Sequence, residues 1–269
     1  MLKQRIFSAI VIIPICLLAV ILGGWAFMVT VAVILGVGAW EFWHMFKEAN
    51  YSPNGWLIIL GTICLSLSRV VINQDLSGLV LSMFVLISMA THVYAYDHGI
   101  DTAGLDFCFT LGGIIYVGWL GSYVMTLRFL PDGVYWILLA IMGVSISDIG
   151  AYFFGSLLGR HKVSKRVSPA KSLEGYLGGI LTACLFGYVF GSLAAPHSSF
   201  ITATNGLWLT LVVSCFSLLG DMGESLLKRQ FNLKDSSKLI PGHGGVLDRI
   251  DTWLWAGVIS YYLITWFWI

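Results

Sequence analysis

Long apolar stretches alternate with short polar connections along the whole chain. A membrane-spanning helix needs about 20 mostly apolar residues. On that basis nine spans are predicted, at 6–23, 25–42, 55–72, 77–95, 107–127, 134–157, 174–195, 207–227 and 252–269. Lipid offers no hydrogen-bond partners to bare backbone, and the strict alternation typical of a membrane barrel is absent, so the spans are predicted as helices. The pattern therefore indicates an all-α polytopic integral membrane protein with about nine transmembrane helices.

Composition supports a membrane protein and excludes a soluble one. Of the 269 residues, 58% are hydrophobic and only 11% are charged, whereas a soluble domain carries about 25% charged residues. The five cysteines lie singly in apolar stretches, so neither a zinc site nor a disulfide framework is indicated. The first apolar stretch is interpreted as a retained span rather than a cleaved signal, because another apolar stretch follows Gly23 and Gly24 directly.

The positive charges predict an orientation. With the N-terminus in the cytoplasm and nine alternating spans, 13 of the 15 Lys and Arg residues face the cytoplasm, and only Arg69 and Arg128 lie on the far side. This bias is typical of membrane proteins and supports both the number of spans and the cytoplasmic N-terminus.

The polar residues divide the chain unevenly, although a single membrane domain over 1–269 is predicted. Residues 1–130 hold few polar groups and are interpreted as a helical scaffold. Residues 140–251 hold nearly every group that can do chemistry, mainly in two cytoplasmic segments at 158–173 and 228–251.

Five acids in or near the sixth, eighth and ninth predicted spans are candidates for function. Asp148 lies well inside the sixth span, and a carboxylate there costs about 2.5–3.5 kcal/mol or more, which makes it a functional candidate. Asp221 and Glu224 lie three residues apart at the inner end of the eighth span, and Asp248 and Asp251 have the same spacing at the entry to the ninth. If these ends meet, Asp221, Asp248 and Asp251 share a cation such as Mg²⁺, with room for a second. The alternative for Asp248 and Asp251 is capping of the last helix.

Two groups of basic residues accompany the acids. They suit phosphate groups, and the alternative is an anchor for anionic lipid headgroups. The groups are Lys228, Arg229, Lys234, Lys238 and Arg249, and Arg160, Lys162, Lys165, Arg166 and Lys171.

Glycines and one serine add to the same picture. Gly242, Gly244 and Gly245 allow tight backbone turns beside a polyphosphate. Ser172 is interpreted either as the N-cap of the next helix, with Glu174 assisting, or as a phosphate contact. The sequence contains no P-loop, nucleophile elbow or HExxH motif.

Residues 225–251 resemble the signature of the phosphatidate cytidylyltransferase (CDP-diacylglycerol synthase) family. The matching positions are Ser225, Lys228, Arg229, Lys234, Asp235, Ser237, Pro241, His243, Gly244, Gly245, Asp248, Arg249 and Asp251. The segment from Asp148 to Gly179 resembles the family's other shared region, so the specific resemblance covers the C-terminal half of the chain.

The resemblance implies the reaction CTP + phosphatidate → CDP-diacylglycerol + pyrophosphate. It also implies a Mg²⁺ requirement and a homodimeric helical fold with a cytoplasm-facing polar cavity. Together with the acids and bases above, it assigns three sets of residues. The predicted catalytic residues are Asp221, Asp248, Asp251, Lys228, Arg229 and His243. The predicted substrate-binding residues are Lys171, Ser172, Lys234, Asp235, Gly244, Gly245 and Arg249. The predicted metal ligands are Asp221, Asp248 and Asp251, with Asp148 completing the site.

Two other functions stay open at this point. A CTP-using polyprenol or lipid-alcohol kinase would keep the same groups but transfer the γ-phosphoryl group. An ion-coupled transporter would use Asp148, Asp221 and Glu224 as relay acids, which leaves the 228–251 segment unexplained. The expected partners are CTP, phosphatidate, the bilayer and a second copy of the chain, with no nucleic acid. The expected location is a bacterial inner membrane, with the active site on its cytoplasmic face.

Overall fold

The computed structural model describes residues 2–70, 75–240, 242 and 244–269, without the side chains of residues 2–7 and 9. Within these ranges the chain forms helices and no strand. The helices are α1 (Leu2–Leu22), α2 (Gly24–Glu48), α3 (Gly55–Ser68), α4 (Ser77–Asp97), α5 (Ala103–Gly113), α6 (Leu120–Phe129), α7 (Gly133–Leu158), α8 (Leu173–Ala194), α9 (Ala203–Gln230) and α10 (Leu247–Phe267). A π-helical turn, Ile114–Trp119, joins α5 to α6, and a 3₁₀ turn, Ala195–His197, follows α8.

The helices confirm an all-α polytopic membrane protein. Among the described residues, six helical segments are long and apolar enough to cross a bilayer: Gly24–Glu48, Ser77–Asp97, Ala103–Phe129, Gly133–Leu158, Leu173–His197 and Ala203–Gln230. Ile10–Leu22 and Gly55–Ser68 are shorter apolar helices. Each predicted stretch coincides with a helix over most of its length. Gly23, residues 69–70 and residues 268–269 lie beyond the helix ends, and residues 71 and 72 lie outside the described part of the chain. The number nine stays a prediction.

Local sequence explains several helix boundaries. Gly23 and Gly24 have positive φ values of 63° and 50°, so the chain turns between α1 and α2 where a side chain would be strained. Asn54 caps α3 by accepting a hydrogen bond from Leu57 N at 3.2 Å. Ser172 caps α8 in the same way, accepting from Gly175 N at 3.2 Å, as its sequence position predicts.

The helices form two compact units, and the first comprises Met1–Thr126 and Gln230–Ile250. Within it, α3 packs against α2, α4 and the π-helical turn. Gly118 in that turn allows the contact, because a Cβ there would lie 2.9 Å from the Cα of Thr62. Ile58, Leu65 and Ile114 are fully buried in this core. The first unit thus joins the N-terminal helices to the connection between α9 and α10.

The second unit comprises Leu127–Arg229 and Asp251–Ile269. Its helices approach closely through glycines: a Cβ on Gly179 of α8 would lie 2.6 Å from the carbonyl oxygen of Ser147 in α7. A Cβ on Gly187 would lie 2.3 Å from the carbonyl oxygen of Gly206 in α9. Small residues are the usual means by which membrane helices pack tightly. The single membrane domain over residues 1–269 stays a prediction.

Candidate active site

In the second unit, α9 lies directly against the start of α10. A Cβ on Gly220 would lie 2.9 Å from the Trp255 ring and 3.1 Å from the carbonyl oxygen of Asp251. Since glycine permits this approach, the next residue, Asp221, is brought beside Asp251. The predicted convergence of α9 with the start of the last helix is therefore found for these two acids.

Asp251 is the most buried of the acids predicted for the site, with 6% of its surface exposed. Burial opposes its negative charge most, followed by the charge of Asp221 and, more weakly, that of Asp148, whereas the charge of Lys171 favours it. Its Oδ1 accepts a hydrogen bond from the backbone N–H of Thr252 at 2.7 Å. Like charges gathered at a buried carboxylate are costly unless a cation or a cationic ligand group compensates them.

Asp148, Asp221 and Asp251 together are called the acid cluster. Lys171, directly before the N-cap of α8, is a cation beside this cluster. Its ammonium group forms an ion pair with Asp221. The hydroxyl of Ser225, one helical turn after Asp221, donates to the other oxygen of that carboxylate at 3.3 Å. Lys171 and Asp221 keep 28% and 31% of their side-chain surfaces exposed, so both are accessible to a ligand.

The segment before α8 is held by the helix that it precedes. Leu173 N donates to the carbonyl oxygen of His161 at 2.8 Å. The Glu174 carboxylate accepts from the backbone N–H groups of Arg160, at 3.0 Å, and His161, at 3.2 Å, and it pairs with the His161 ring at 2.5 Å. These bonds fix the start of the basic segment 158–173, whereas Arg160, Lys162, Lys165 and Arg166 remain exposed.

Lys228 occupies a different environment from the other predicted phosphate-binding residues. It is 8% exposed and pairs with Glu224, one turn earlier in α9, at 2.6 Å. Glu224 is 1% exposed. The pair therefore lies inside the second unit. The predicted catalytic role of Lys228 competes with a structural role in this pair.

In the first unit, the connection between α9 and α10 (residues 231–246, the α9–α10 connection) is organised around Glu41 of α2. Glu41 is fully buried. It accepts hydrogen bonds from two serine hydroxyls, Ser236 and Ser237, and from the backbone N–H groups of Val246 and Leu247. The sequence did not single out Glu41, because it lies in the region interpreted as scaffold. A lone carboxylate within an apolar stretch was the signal that could have found it.

Asp248 has a capping role at the start of α10. Its Oδ2 accepts from Gly245 N at 2.8 Å, from Ser236 N at 3.0 Å and from the Ser236 hydroxyl at 3.0 Å. Capping of the last helix, the alternative role that the sequence offered for Asp248, is therefore found for this oxygen. The metal role of Asp248 stays a prediction.

The other predicted substrate-binding residues of the α9–α10 connection lie close to these bonds. Gly244 has a φ of 86°, and a Cβ there would lie 2.8 Å from Asp248 Oδ2. A Cβ on Gly245 would lie 2.7 Å from both oxygens of Glu41. Both glycines therefore make room for acids of the protein itself. His243, a predicted catalytic residue, lies outside the described residues. Four other predicted site residues have exposed side chains: Arg229, Lys234, Asp235 and Arg249.

The acid cluster suits Mg²⁺ by the chemistry of its donors. Mg²⁺ prefers oxygen ligands and is usually held by one or two carboxylates, completed by substrate phosphates and water. Asp221 and Asp251 supply two carboxylates, with Asp148 acting on the same charge. In the described part of the chain, no group of three His, Cys, Asp or Glu residues is arranged to hold a metal ion. The predicted three-carboxylate site is therefore not preformed there, and two carboxylates satisfy the usual requirement.

Comparison with known proteins identifies the class of enzyme. Residues 3–267 match the model of the cytidylyltransferase family, so this helical membrane protein is a transferase. The chain belongs to the cytidylyltransferase family.

Individual relatives match over nearly the full length of the chain. A phosphatidate cytidylyltransferase of Bacillus subtilis is 31% identical over 98% of each chain. One of Synechocystis is 31% identical over 97% of this chain and 96% of the relative. One of Staphylococcus epidermidis is 33% identical over 94% of this chain and 95% of the relative. The similarity thus extends through the N-terminal helices, where the sequence alone indicated only hydrophobic scaffold.

Proposed function

We propose that the protein transfers the cytidylyl group of CTP to phosphatidate, giving CDP-diacylglycerol and pyrophosphate. The observation that carries the proposal is the acid cluster with Lys171, found in a chain that matches cytidylyltransferases from end to end. The names of the relatives, phosphatidate cytidylyltransferases, support phosphatidate as the acceptor.

In the proposed reaction, an oxygen of the phosphatidate phosphate attacks the α-phosphorus of CTP. A new bond forms between that oxygen and the α-phosphorus, and the bond from the α-phosphorus to the bridging oxygen breaks, so pyrophosphate leaves with the electron pair. A phosphate monoester is mostly dianionic near neutral pH, since its second pKa is about 6. No strong base is therefore required, and catalysis depends on positioning and on neutralising charge.

The residues of the second unit have distinct proposed roles. Lys171 neutralises phosphate charge. When its ammonium group leaves Asp221 and pairs with a substrate phosphate, its positive charge still has a negative partner. Asp221 and Asp251, with Asp148 nearby, would hold Mg²⁺, which would supply further neutralisation of the triphosphate. The exposed basic side chains of segment 158–173 suit the anionic lipid surface.

The remaining assignments extend the proposal. We place the N-terminus and the active site on the cytoplasmic side of a bacterial inner membrane, because the positive-inside distribution requires it. The active form is proposed to have nine spans, to work as a homodimer with a cytoplasm-facing polar cavity and to bind no nucleic acid. The identity of a second cation is left to metal titration of the purified protein.

Labelled CTP tests the reaction directly. Purified protein is incubated with phosphatidate, Mg²⁺ and CTP carrying either an α- or a γ-phosphorus label, and the liponucleotide and pyrophosphate are measured together. The α-label in the lipid product, with equal pyrophosphate, is expected. The γ-label in the lipid product would instead identify a lipid kinase. Ion flux across sealed vesicles without nucleotide turnover would identify a transporter.

A further inference from the structure

We propose that Glu41 is a positioning residue for the reaction: its buried carboxylate fixes the conformation of the α9–α10 connection, which carries Lys234 and Asp235. This inference rests on the proposed function for its kinetic part. All of the contacts that support it lie within the first unit.

The two carboxylate oxygens of Glu41 bind both ends of the connection. Oε1 accepts from the Ser237 hydroxyl at 2.5 Å and from Val246 N at 2.9 Å. Oε2 accepts from Leu247 N at 2.6 Å and lies 3.2 Å from the Ser236 hydroxyl. One side chain thus joins residues 236–237 to residues 246–247 and closes the chain between them into a loop. Closing such a loop costs conformational entropy, which these bonds offset.

The donors explain why a carboxylate is required at this position. All four donors are neutral, and two of them are backbone N–H groups at the start of α10, where the helix dipole favours a negative charge. Glutamine would keep the shape but replace one oxygen with an NH₂ group, which would face donors instead of accepting from them. The charge and both oxygens are therefore used.

Gly245 provides the space that Glu41 occupies. A Cβ at this position would lie 2.0 Å from the Ser236 hydroxyl oxygen and 2.7 Å from each Glu41 oxygen. The backbone of Gly245 also donates to Asp248 Oδ2 at 2.8 Å. The two acids Glu41 and Asp248 therefore both contact the turn at Gly245, and the position of Asp248 depends on that turn.

The first test replaces Glu41 with glutamine in the full-length protein and measures kinetics and proteolysis together. We expect kcat/KM to fall on the order of 10²-fold, because small misplacements of catalytic groups have effects of that size. We also expect trypsin to cleave faster after the exposed Lys238, while cleavage after the exposed Lys162, in the other basic segment, keeps its wild-type rate. That selective change separates positioning from a general loss of structure.

Two matched controls define the result. Glu48→Gln changes an exposed acid about two turns further along α2 and should behave as wild type. Asp106→Asn changes another buried acid of the first unit, which binds Ser52 N and the Thr102 hydroxyl, each at 2.7 Å. It should lower stability without selective cleavage at Lys238. If Glu41→Gln does not accumulate, Ser237→Ala removes one of the four donors and serves the same test.

The outcomes are decisive in each direction. Wild-type cleavage at Lys238 in Glu41→Gln, or faster cleavage at Lys162 as well, overturns the proposal. Wild-type kcat/KM with selective cleavage also overturns it, because the connection would then move without affecting turnover. A wild-type protein that makes no liponucleotide refutes the proposed function instead, and the proteolysis still decides whether Glu41 holds the connection.

Discussion

Glu41 in the first unit and Asp251 in the second are both buried carboxylates, yet their surroundings are opposite. Glu41 accepts hydrogen bonds from hydroxyl and backbone donors of the α9–α10 connection. Asp251 has one backbone donor, Thr252 N, and its charge is opposed by those of Asp221 and Asp148. A carboxylate surrounded by donors stabilises the conformation of those donors. A carboxylate crowded by other carboxylates favours the binding of a cation, which removes their repulsion.

The contrast separates two kinds of buried acid that look alike in sequence. Burying a charge is expensive in either case, so each must be compensated. In the first unit the protein supplies the compensation itself. In the second, Lys171 supplies part of it through Asp221, and we infer that substrate and Mg²⁺ supply the rest. The contrast would be contradicted if Glu41 proved to be compensated by a ligand or if Asp251 proved to have only a structural role.

The largest effect is expected from Asp251→Asn. Turnover should be abolished, a fall of at least about 10³-fold, because electrostatic groups at a reacting centre have effects of this order. The thermal midpoint should be unchanged or higher, since asparagine keeps an acceptor for Thr252 N and removes the repulsion from Asp221 and Asp148. Liponucleotide formation and a thermal unfolding assay measure the two quantities.

A matched control for Asp251→Asn is Asp132→Asn in the same unit. Asp132 accepts from the Ser198 hydroxyl at 2.5 Å and from Ser199 N at 2.9 Å, so it resembles Glu41 in its donors. This variant should keep wild-type turnover. The contrast between the two acids would be lost if Asp251→Asn destabilised the protein while retaining activity.

The Lys228–Glu224 pair sharpens the comparison, since its charges compensate each other inside the protein, although Lys228 was predicted to be catalytic. Breaking a buried pair by removing one partner costs about 3–5 kcal/mol, so Lys228→Met should lower the free energy of unfolding by about that order. The double variant Glu224→Gln/Lys228→Met should recover most of the stability. Chemical denaturation in detergent measures both.

Activity of the double variant then decides the role of Lys228. A stable but inactive double variant supports the predicted catalytic role. A stable and active one assigns the pair to structure alone, unlike both Glu41 and Asp251, whose replacement is expected to lower turnover.

The smallest effect is expected from Gly245→Ala. The added methyl group would overlap the Ser236 hydroxyl, at 2.0 Å, and press on Glu41, and overpacking of this kind costs about 1–3 kcal/mol. Gly78→Ala is the control, because a Cβ at Gly78 meets nothing within 4 Å. A thermal midpoint for Gly245→Ala equal to that of Gly78→Ala would show that the Glu41 site is looser than described.

Much of the architecture could be predicted from the sequence because lipid imposes a simple rule. Apolar stretches such as 25–42 and 134–157 had to be helices, and α2 and α7 occupy them. The Ser172 cap was also predictable, since capping is a local interaction. The π-helical turn Ile114–Trp119 was not, because its residues are as apolar as those of an ordinary helix.

The candidate site was predictable only in part. The sequence placed Asp221 and Asp251 in one predicted metal site and Lys171 among the predicted substrate-binding residues, and the structure brings these three together in the second unit. The sequence did not identify Glu224 as the partner of Lys228. It offered both capping and metal binding for Asp248, and the structure shows the capping bonds. Glu41 was missed because its four donors lie about 200 residues later in the chain.

By itself, then, the sequence determined the class of protein, the helices and the groups available for phosphoryl chemistry. These follow from local properties: apolar length, charge bias and motif spacing. Only the tertiary structure decided which buried acids are satisfied by the protein and which are left facing like charge. That distinction depends on donors from distant segments, and no local pattern encodes where a distant hydroxyl or backbone N–H will lie.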